Sequence, residues 1–517
     1  MSTSLMKSSA VVGAMTLISR VLGFVRDILF AAAFGAGAGM DAFLVALKIP
    51  NFGRRMFAEG AFAQSFVPVF TETRTRGSHA EVQDLLAKVS GTLGGVLGAI
   101  TLVGCLASPL LMGLFAPGFA DDPAQFALGA DMLRWTFPYL MFISLTAMAG
   151  GVLNSYGQFA VPAITPVILN ICLISAAFID GESVQVLAYA VFAAGVLQLA
   201  AQLPSLRRLN LTPRPQWGWR DPKVKRIMTL MVPIMIGSSV AQISLLLDTI
   251  IASFLVTGSV SWLYFADRLM EFPLGLFSIA IGTVILPTLS AQFASGSAVA
   301  FSDTLDWALK LLLLVGLPAA LGLFVLAGPL VVTLFQYRAF TAVDVEMTAA
   351  ALMAYAFGFM GFSLVKILVP GFYARQETRV PVRFAITALL CGMALSISGV
   401  LVALHLGFAA PHAVLAAATS TSAWINAVLL YRRLRKDGIY APVSQPWRAF
   451  GLRLLLANTA MVAVVLALQG PLSLWLDLSL FERVARLLTV LAAAGLSYAA
   501  VLLLSGLRPR HLHRPTP

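Results

Sequence analysis

Residues 305–335 read LDWALKLLLLVGLPAALGLFVLAGPLVVTLF, with no charged side chain between positions 311 and 332. A helix needs about 20 apolar residues to cross the hydrocarbon core of a bilayer, so this stretch predicts a transmembrane helix. The whole chain is similar: of its 517 residues, 59% are apolar and 11% are charged, and the mean hydropathy is +0.88. Soluble domains carry roughly 25% charged residues. The composition excludes soluble, disordered and collagen-like chains and indicates an all-α polytopic membrane protein.

Gly, Pro and charged residues divide the apolar sequence into about fourteen candidate spans. Two of these spans carry several charges, which is acceptable only where the charged side chains face protein or water rather than lipid. The predicted spans are 10–34, 39–68, 86–115, 126–153, 161–180, 186–206, 226–256, 261–290, 305–335, 346–373, 380–404, 409–431, 449–469 and 483–506.

Short motifs recur about 220 residues apart, which indicates an internal repeat. Each half holds six spans, an even number, so both halves insert the same way up, as in many alternating-access transporters. The sequence therefore predicts two six-helix lobes related by a parallel repeat, plus two extra C-terminal helices. The recurring motifs are Leu114-Phe115 with Leu334-Phe335, Val161-Pro162 with Val380-Pro381, Asp27 with Asp248, and Ala46-x-Lys48 with Ala266-x-Arg268.

This repeat divides the chain into four parts. We assign an N-lobe to residues 1–206, a cytoplasmic linker to 207–225 and a C-lobe to 226–436. Residues 437–517 hold the last two spans and a basic tail.

Basic residues concentrate in alternate loops, and cytoplasmic loops are the ones enriched in Lys and Arg. This pattern predicts that both termini are cytoplasmic. The net charge of +12 then suits anionic lipid headgroups rather than nucleic acid. Arg338, Arg483 and Arg486 are exceptions on the outer side. The basic loops and tail contain Arg74, Arg76, Arg207, Arg208, Arg214, Arg220, Lys223, Lys225, Arg226, Arg375, Arg379, Arg432, Arg433, Arg435, Lys436, Arg508, Arg510 and Arg514.

Charged residues form a stripe along the second span. Asp41, Lys48, Arg55 and Glu59 follow one another at intervals of 7, 7 and 4 residues, which places them on one helix face. Charges at bilayer depth are costly unless they face water or a partner. Further charges in the first, second and eighth spans are Arg20, Arg26, Asp27, Arg54, Asp267, Arg268 and Glu271.

The cations of this set outnumber the acids near them, so we expect them to face water or an anionic ligand. Arginine forks bind phosphate oxygens in a bidentate manner, which favours a hydrated central cavity for a phosphorylated substrate. The alternative is a salt-bridge network that only fixes helix packing, and it applies most directly to Asp267 and Glu271 around Arg268. The predicted cavity cations are Arg20, Arg26, Lys48, Arg54, Arg55 and Arg268.

Other kinds of chemistry find little support. The sequence has no GxxxxGK[ST] motif, no Ser/His/Asp set and no metal-ligand spacing, so we predict no enzymatic activity, no cofactor and no metal site. Asp248 in the seventh span is a weak candidate for a sodium ligand and could equally be a buried acid that hydrogen-bonds to a neighbour. Cys105, Cys172 and Cys391 lie in apolar runs, which makes redox chemistry an unfavoured interpretation.

Several motifs together resemble the MurJ/MviN family of lipid II flippases, within the MOP exporter superfamily. They follow the family order through both lobes, over most of the chain. The matching stretches are SRVLGFVRD at 19–27, DAF at 41–43, KIPN at 48–51, RRMFAEGAF at 54–62, APGFA at 116–120, YFADRLMEFP at 264–273 and PGFYARQ at 370–376.

The resemblance implies a fourteen-helix MOP fold in the bacterial cytoplasmic membrane. It implies export of lipid II, the undecaprenyl-pyrophosphate-linked disaccharide-peptide, to the outer leaflet for peptidoglycan synthesis, with other cell-wall synthesis proteins as further partners. The last two helices would form a groove for the lipid tail.

Family positions also carry over onto single residues of this sequence. The family's cavity arginines match Arg20, Arg26, Arg55 and Arg268. Its acidic positions match Asp41, Glu59, Asp267 and Glu271, and with Asp27 these acids are candidates for gating or salt bridges.

The resemblance leaves the driving force open. Some family members bind sodium in the second lobe, and Asp248 fits one ligand position. The eleventh span contains no Asp or Asn, which argues against a complete sodium site. Coupling to the membrane potential or to another cation is the remaining expectation.

Three alternatives to this function stay open at the sequence level. One is an exporter on the same fold for another polyprenyl-linked glycan or for drugs, although a drug exporter should favour acids and aromatics over arginines. Another is a polyprenyl-phosphate membrane enzyme, but the outer loops are too short for a catalytic domain. The third is a scaffold in the cell-wall machinery, and the buried arginines argue against a purely structural role.

Overall fold

The computed structural model describes residues 3–55, 62–181, 183–441 and 447–507, in which the regular secondary structure is helical and no β-strand occurs. A short 3-10 helix at Pro117–Asp121 accompanies the α-helices. The helices are α1 Thr3–Phe34, α2 Ala38–Arg54, α3 Ala63–Arg76, α4 His79–Leu106, α5 Ser108–Phe115, α6 Pro123–Thr136, α7 Tyr139–Ser155, α8 Ala160–Ile179, α9 Gln185–Arg208, α10 Pro222–Ser253, α11 Ser259–Ala294, α12 Ala298–Val325, α13 Ala327–Phe335, α14 Ala342–Tyr373, α15 Arg379–His405, α16 Pro411–Lys436, α17 Trp447–Gln469, α18 Leu472–Asp477 and α19 Leu480–Leu504.

Among the described residues, ten helical segments are long and apolar enough to cross a membrane. The prediction of a polytopic all-α protein is therefore confirmed, and fourteen spans are compatible with it. The four remaining predicted spans fall on α1, α2 with α3, α10 and α11, and these are the helices that carry the charged residues in question. The ten segments are α4, α6 with α7, α8, α9, α12, α14, α15, α16, α17 and α19.

Several predicted spans are broken into two helices. The span at 86–115 divides between α4 and α5 at Ala107, and the span at 305–335 divides between α12 and α13 at Leu326. Pro109 and Pro329 follow these breaks closely. Proline lacks the N–H that would continue the ladder of hydrogen bonds, which accounts for the break in each case.

Polar caps define where helices begin at the ends of the bundle. Asp122 and Asp221 each accept two backbone N–H groups, and a proline follows each at the first helical position. Thr341 and Asp344 form a capping box at the start of α14. These side chains satisfy N–H groups that a helix cannot satisfy internally.

The internal repeat is confirmed by the helix boundaries. Helices α4, α5, α6 and α8 begin at residues 79, 108, 123 and 160, and α12, α13, α14 and α15 begin at 298, 327, 342 and 379. Each pair of starts is separated by 219 residues. The sequence offset near 220 therefore reflects two series of helices with the same order and spacing.

By their contacts, the residues form two compact units, one ending at Ser261 and the other beginning at Trp262. In the first unit, Phe62, Phe66 and Phe70 stack along α3 inside a core that includes residues of α4 and α7. In the second unit, α17 and α19 pack against each other and α17 packs against α12. The predicted division into an N-lobe, a linker, a C-lobe and a terminal pair stays a prediction.

Large apolar side chains cover much of the outer surface of both units. Leu106, Phe481 and Leu504 are 76%, 82% and 87% exposed. Such apolar exposure is unfavourable in water and favourable in hydrocarbon, so these surfaces suit contact with lipid.

Candidate functional site

Arg26 and Asp27 form a largely buried ion pair on α1. The guanidinium Nε and Nη2 of Arg26 lie 2.9 and 2.7 Å from Oδ1 of Asp27, and Nη1 donates to Oδ1 of Asn170 on α8 at 2.9 Å. The Asn170 amide donates in turn to the Ser19 carbonyl oxygen at 2.9 Å. Asp27 is only 2% exposed. Arg26 therefore forms a salt bridge, as the helix-packing alternative predicts, and it also hydrogen-bonds to a second helix.

Asp41, in the first turn of α2, is buried and accepts three hydrogen bonds. Its Oδ1 accepts from the backbone N–H of Ser261 at 2.8 Å and from the hydroxyl of Ser261 at 2.6 Å. Its Oδ2 accepts from the backbone N–H of Gly258 at 2.7 Å. The carboxylate thus binds N–H groups at the start of α11, where the positive end of the helix dipole favours an anion.

The other charged residues of α2 lie further along the helix. Lys48 is half-buried, and its Nζ lies 3.0 Å from the hydroxyl of Thr249 on α10. Arg54 donates from Nε to Oδ1 of Asn51 at 3.0 Å, and Arg55 is exposed. Glu59 lies outside the described residues. The structure therefore describes three of the four residues of the predicted stripe.

Arg20 on α1 differs from Arg26, although it lies less than two turns away. Its side chain is exposed, and it forms no ion pair or side-chain hydrogen bond within the described parts of the chain. An exposed guanidinium on a predicted span needs water or an anion beside it. Of the predicted cations, Arg20 best fits a group that is available to a ligand.

The second unit contributes a cation–acid pair on α11. Arg268 lies 2.6 Å from the carboxylate of Glu271 through its Nη1, and its guanidinium lies 4.9 Å from the centre of the Tyr264 ring. The Arg268 and Glu271 side chains are 34% and 45% exposed. Asp267 is half-buried beside them. The pair is therefore partly open to solvent, unlike the Arg26–Asp27 pair.

Asp248, the weak sodium-ligand candidate, is half-buried on α10. In the parts of the chain that the structure describes, no group of three or more His, Cys, Asp or Glu side chains lies close enough to hold a metal ion.

The chain matches a known protein family along most of its length. The family profile described as "Lipid II flippase MurJ" matches residues 30–486. The chain belongs to the MurJ family. A relative from Vibrio cholerae serotype O1, "Probable lipid II flippase MurJ", is 44% identical over 100% of this chain and 99% of its own length. "Lipid II flippase MurJ" from Burkholderia cenocepacia is 41% identical over 89% of this chain and 90% of its own.

Solved structures agree with membership of the MurJ family. "Lipid II flippase MurJ, inward closed conformation" superposes with a TM-score of 0.79 and 25% identity, covering 95% of this chain and 98% of its own. An inward-facing multidrug resistance MATE transporter of the MOP superfamily has a TM-score of 0.65 at 13% identity, covering 81% of this chain and 95% of its own. The latter shows a shared fold only. The chain is thus a polytopic membrane protein of a flippase family, not of an enzyme family.

In this MurJ-family chain, the structure brings together some predicted site residues with neutral partners that sequence reasoning missed. Asn170, Thr249 and Ser261 bind Arg26, Lys48 and Asp41. A search for charged residues passes over Asn, Thr and Ser. The available signal was Asn170, an amide within an otherwise apolar span. The convergence of Arg20, Arg26 and Arg55 with Arg268 on one cavity stays a prediction.

Proposed function

We propose that this protein moves lipid II from the cytoplasmic to the periplasmic leaflet of the bacterial inner membrane. The observation that carries the proposal is family membership along the full chain, with 44% identity to a probable lipid II flippase. Helices α1, α2 and α11 support it, because they carry the charged residues in a protein whose other predicted spans are largely apolar.

The transport step requires no covalent chemistry. A headgroup of pyrophosphate, sugars and peptide cannot cross about 30 Å of hydrocarbon, because it would lose its hydration without compensation. Guanidinium groups replace that hydration when they bind phosphate oxygens. The polyprenyl tail stays in lipid while the headgroup passes through the protein, and the groove of α17 and α19 is the proposed place for it.

Within this mechanism the charged residues have different roles. Arg20, exposed on α1, binds the pyrophosphate, and Arg268 and Arg55 add positive charge to the path. Arg26 is held by Asp27 and Asn170 and acts as a positioning residue for α1. Asp41 holds the start of α11 against α2, and release of these hydrogen bonds accompanies the change from one open side to the other.

The driving force in this proposal is the membrane potential or a cation gradient. A potential of 100 mV is worth about 2.3 kcal/mol for each charge that crosses it. Both termini lie in the cytoplasm, as the distribution of basic loops predicts.

Depletion of the protein, followed by a leaflet-specific assay of lipid II, tests the function. We expect the precursor to accumulate in the cytoplasmic leaflet, and rescue by wild type but not by Arg20→Ala or Arg268→Ala. Arg76→Ala, which removes an arginine whose side chain is 81% exposed near the end of α3, is the matched control and should rescue. Normal export in depleted cells would reject the proposal, and full rescue by both cavity variants would reject the assigned roles.

A further inference from the structure

Residues 209–221, between α9 and α10, form a segment without helix that lies along α4. The backbone N–H of Gln216 donates to the Ala87 carbonyl oxygen at 2.9 Å, and the N–H of Gly218 donates to the buried Thr92 hydroxyl at 3.0 Å. At the end of the segment, Asp221 pairs with Lys88 at 3.0 Å. The segment is therefore fixed to α4 at three successive points.

Three glycines make this close approach feasible. A Cβ atom at Gly91 would lie 2.2 Å from the Gln216 carbonyl oxygen, and one at Gly95 would lie 2.8 Å from the Trp217 ring. A Cβ at Gly218 would lie 2.4 Å from Cβ of Lys88. Real side chains do not tolerate such distances, so α4 and the segment fit together only because these positions lack a side chain.

The segment packed on α4 holds two tryptophans at the protein surface rather than burying them. Trp217 and Trp219 are 66% and 48% exposed, and their rings stack with centroids 6.2 Å apart and planes 13° apart. A tryptophan side chain normally stabilises a fold by burying its large apolar ring. An exposed, stacked pair is instead typical of a surface that meets another apolar or amphipathic molecule.

The tryptophans border an open groove of about 790 Å³, whose lining includes Val96, Lys88 and Arg220. Lys88 is paired with Asp84 and Asp221. Arg220 is exposed and forms no hydrogen bond or ion pair with any described residue. The groove thus combines an aromatic and aliphatic wall with one available guanidinium, which complements an amphipathic anion.

The position of the groove points to lipid as that anion. It lies beside Lys88 and Val96 of α4, where the charged first part of this helix gives way to an apolar stretch. Helix α4 is long and apolar enough to cross a membrane, and the groove is next to the basic loop between α9 and α10. Tryptophan rings favour the headgroup level of bilayers, and basic segments favour the anionic cytoplasmic leaflet.

We propose that the groove between α4 and residues 216–221 binds an anionic phospholipid of the cytoplasmic leaflet. The phosphate binds Arg220, and the glycerol and upper acyl chain pack against Trp217, Trp219 and Val96. The site is separate from the charged residues of α1, α2 and α11, and lipid binding there is measured without any flipping assay.

Quenching by brominated lipids tests the tryptophan contacts. The full-length protein in detergent micelles is titrated with dibromo-phosphatidylglycerol or dibromo-phosphatidylcholine while tryptophan emission is recorded. We expect phosphatidylglycerol to quench more strongly at low mole fraction, and this excess to disappear in the Trp217→Phe/Trp219→Phe double variant. Trp135→Phe, which removes another partly exposed tryptophan (42%), should retain the excess. Persistence of the excess in the double variant would overturn the proposal.

Paired charge variants test the phosphate contact. Arg220→Gln should raise the half-saturating fraction of phosphatidylglycerol at least fivefold, whereas Arg208→Gln, which removes an exposed arginine at the end of α9, should raise it less than twofold. Equal effects would mean diffuse attraction to the basic segment and would overturn the site. Displacement of the brominated lipid by undecaprenyl pyrophosphate but not by unlabelled phosphatidylglycerol would overturn the choice of phospholipid.

Discussion

Asp41 is buried, so protein groups take the place of its hydration shell. A buried carboxylate is costly unless donors replace its hydration, and here the donors are Gly258 and Ser261. One side chain near the start of α2 thereby binds the backbone where α11 begins. Lys48 is likewise a charge with a neutral partner, because its Nζ donates to the hydroxyl oxygen of Thr249.

Asp41→Asn should lower the free energy of unfolding by about 1–3 kcal/mol, because one acceptor oxygen becomes an N–H₂ group that faces other donors. Thermal unfolding of the purified full-length protein measures the change. Ser261→Ala removes only the hydroxyl donor and should cost less, about 1 kcal/mol. An unfolding temperature of Asp41→Asn equal to that of wild type would show that these hydrogen bonds do not hold α11.

At the scale of elements, Asp306 links α12 to the chain that enters α17. Its Oδ1 accepts from the hydroxyl of Tyr440 at 2.7 Å and from the indole of Trp447 at 2.8 Å, and its Oδ2 lies 2.6 Å from Nζ of Lys310. The Asp306 and Lys310 side chains are 7% and 12% exposed. This cluster fixes α17, the first helix of the proposed lipid-tail groove, to α12.

Asp306→Asn should destabilise the protein by about 3–5 kcal/mol, because Lys310 would keep its charge in a buried place without a carboxylate. We expect faster backbone hydrogen exchange at residues 447–454 of α17, with less change in α19. Trp447→Phe removes one hydrogen bond and keeps the ion pair, so its effect should be near 1 kcal/mol. Unchanged exchange in α17 of Asp306→Asn would contradict the role of the cluster.

Asp221 caps α10 and gives this helix a pH dependence. Burial raises the pKa of Asp221, but hydrogen bonds from Lys88 and from the backbone of Lys223 and Val224 outweigh burial, so the pKa lies below its usual value of 3.8. A group with a lowered pKa stabilises the fold above its unfolded-state pKa. That contribution is lost as the pH falls through the folded-state pKa.

Asp221→Asn keeps a side chain that can cap a helix and removes the charge. We expect it to unfold at a lower temperature than wild type at pH 7 and pH 5, by an amount corresponding to about 1 kcal/mol or less. The difference should shrink below pH 4, where the wild-type carboxylate becomes protonated. A difference that is the same at pH 3 and pH 7 would exclude the charge as its cause.

The sequence predicts elements better than it predicts contacts. Hydropathy locates helices such as α12 and α15, because spanning requires long apolar runs whatever their neighbours. It does not place the break at Leu326, because a proline need not end a helix: Pro318 lies inside α12, whereas Pro329 follows the break. It also cannot tell that Arg26 meets Asn170, because that hydrogen bond depends on how α1 packs against α8.

At the scale of the whole molecule, the alternation of basic and non-basic loops predicts one orientation in the membrane. Single cysteines can test it in a variant that lacks Cys105, Cys172 and Cys391. Arg208→Cys should react with a membrane-impermeant maleimide in inverted vesicles only, and Gly181→Cys in spheroplasts only. The opposite labelling pattern would reverse the proposed topology.

The recurrence of helices every 219 residues has a consequence at this scale as well. Asp41 and Ser261 occupy equivalent positions in the two series of helices, because they are 220 residues apart, as are Lys48 and Arg268. Although they are equivalent, Asp41 and Ser261 bind each other. Two identical halves would have met there as carboxylate against carboxylate or as hydroxyl against hydroxyl. The hydrogen bond from the Ser261 hydroxyl to the Asp41 carboxylate therefore depends on the difference between the two series, and a symmetric dimer of either part could not reproduce it.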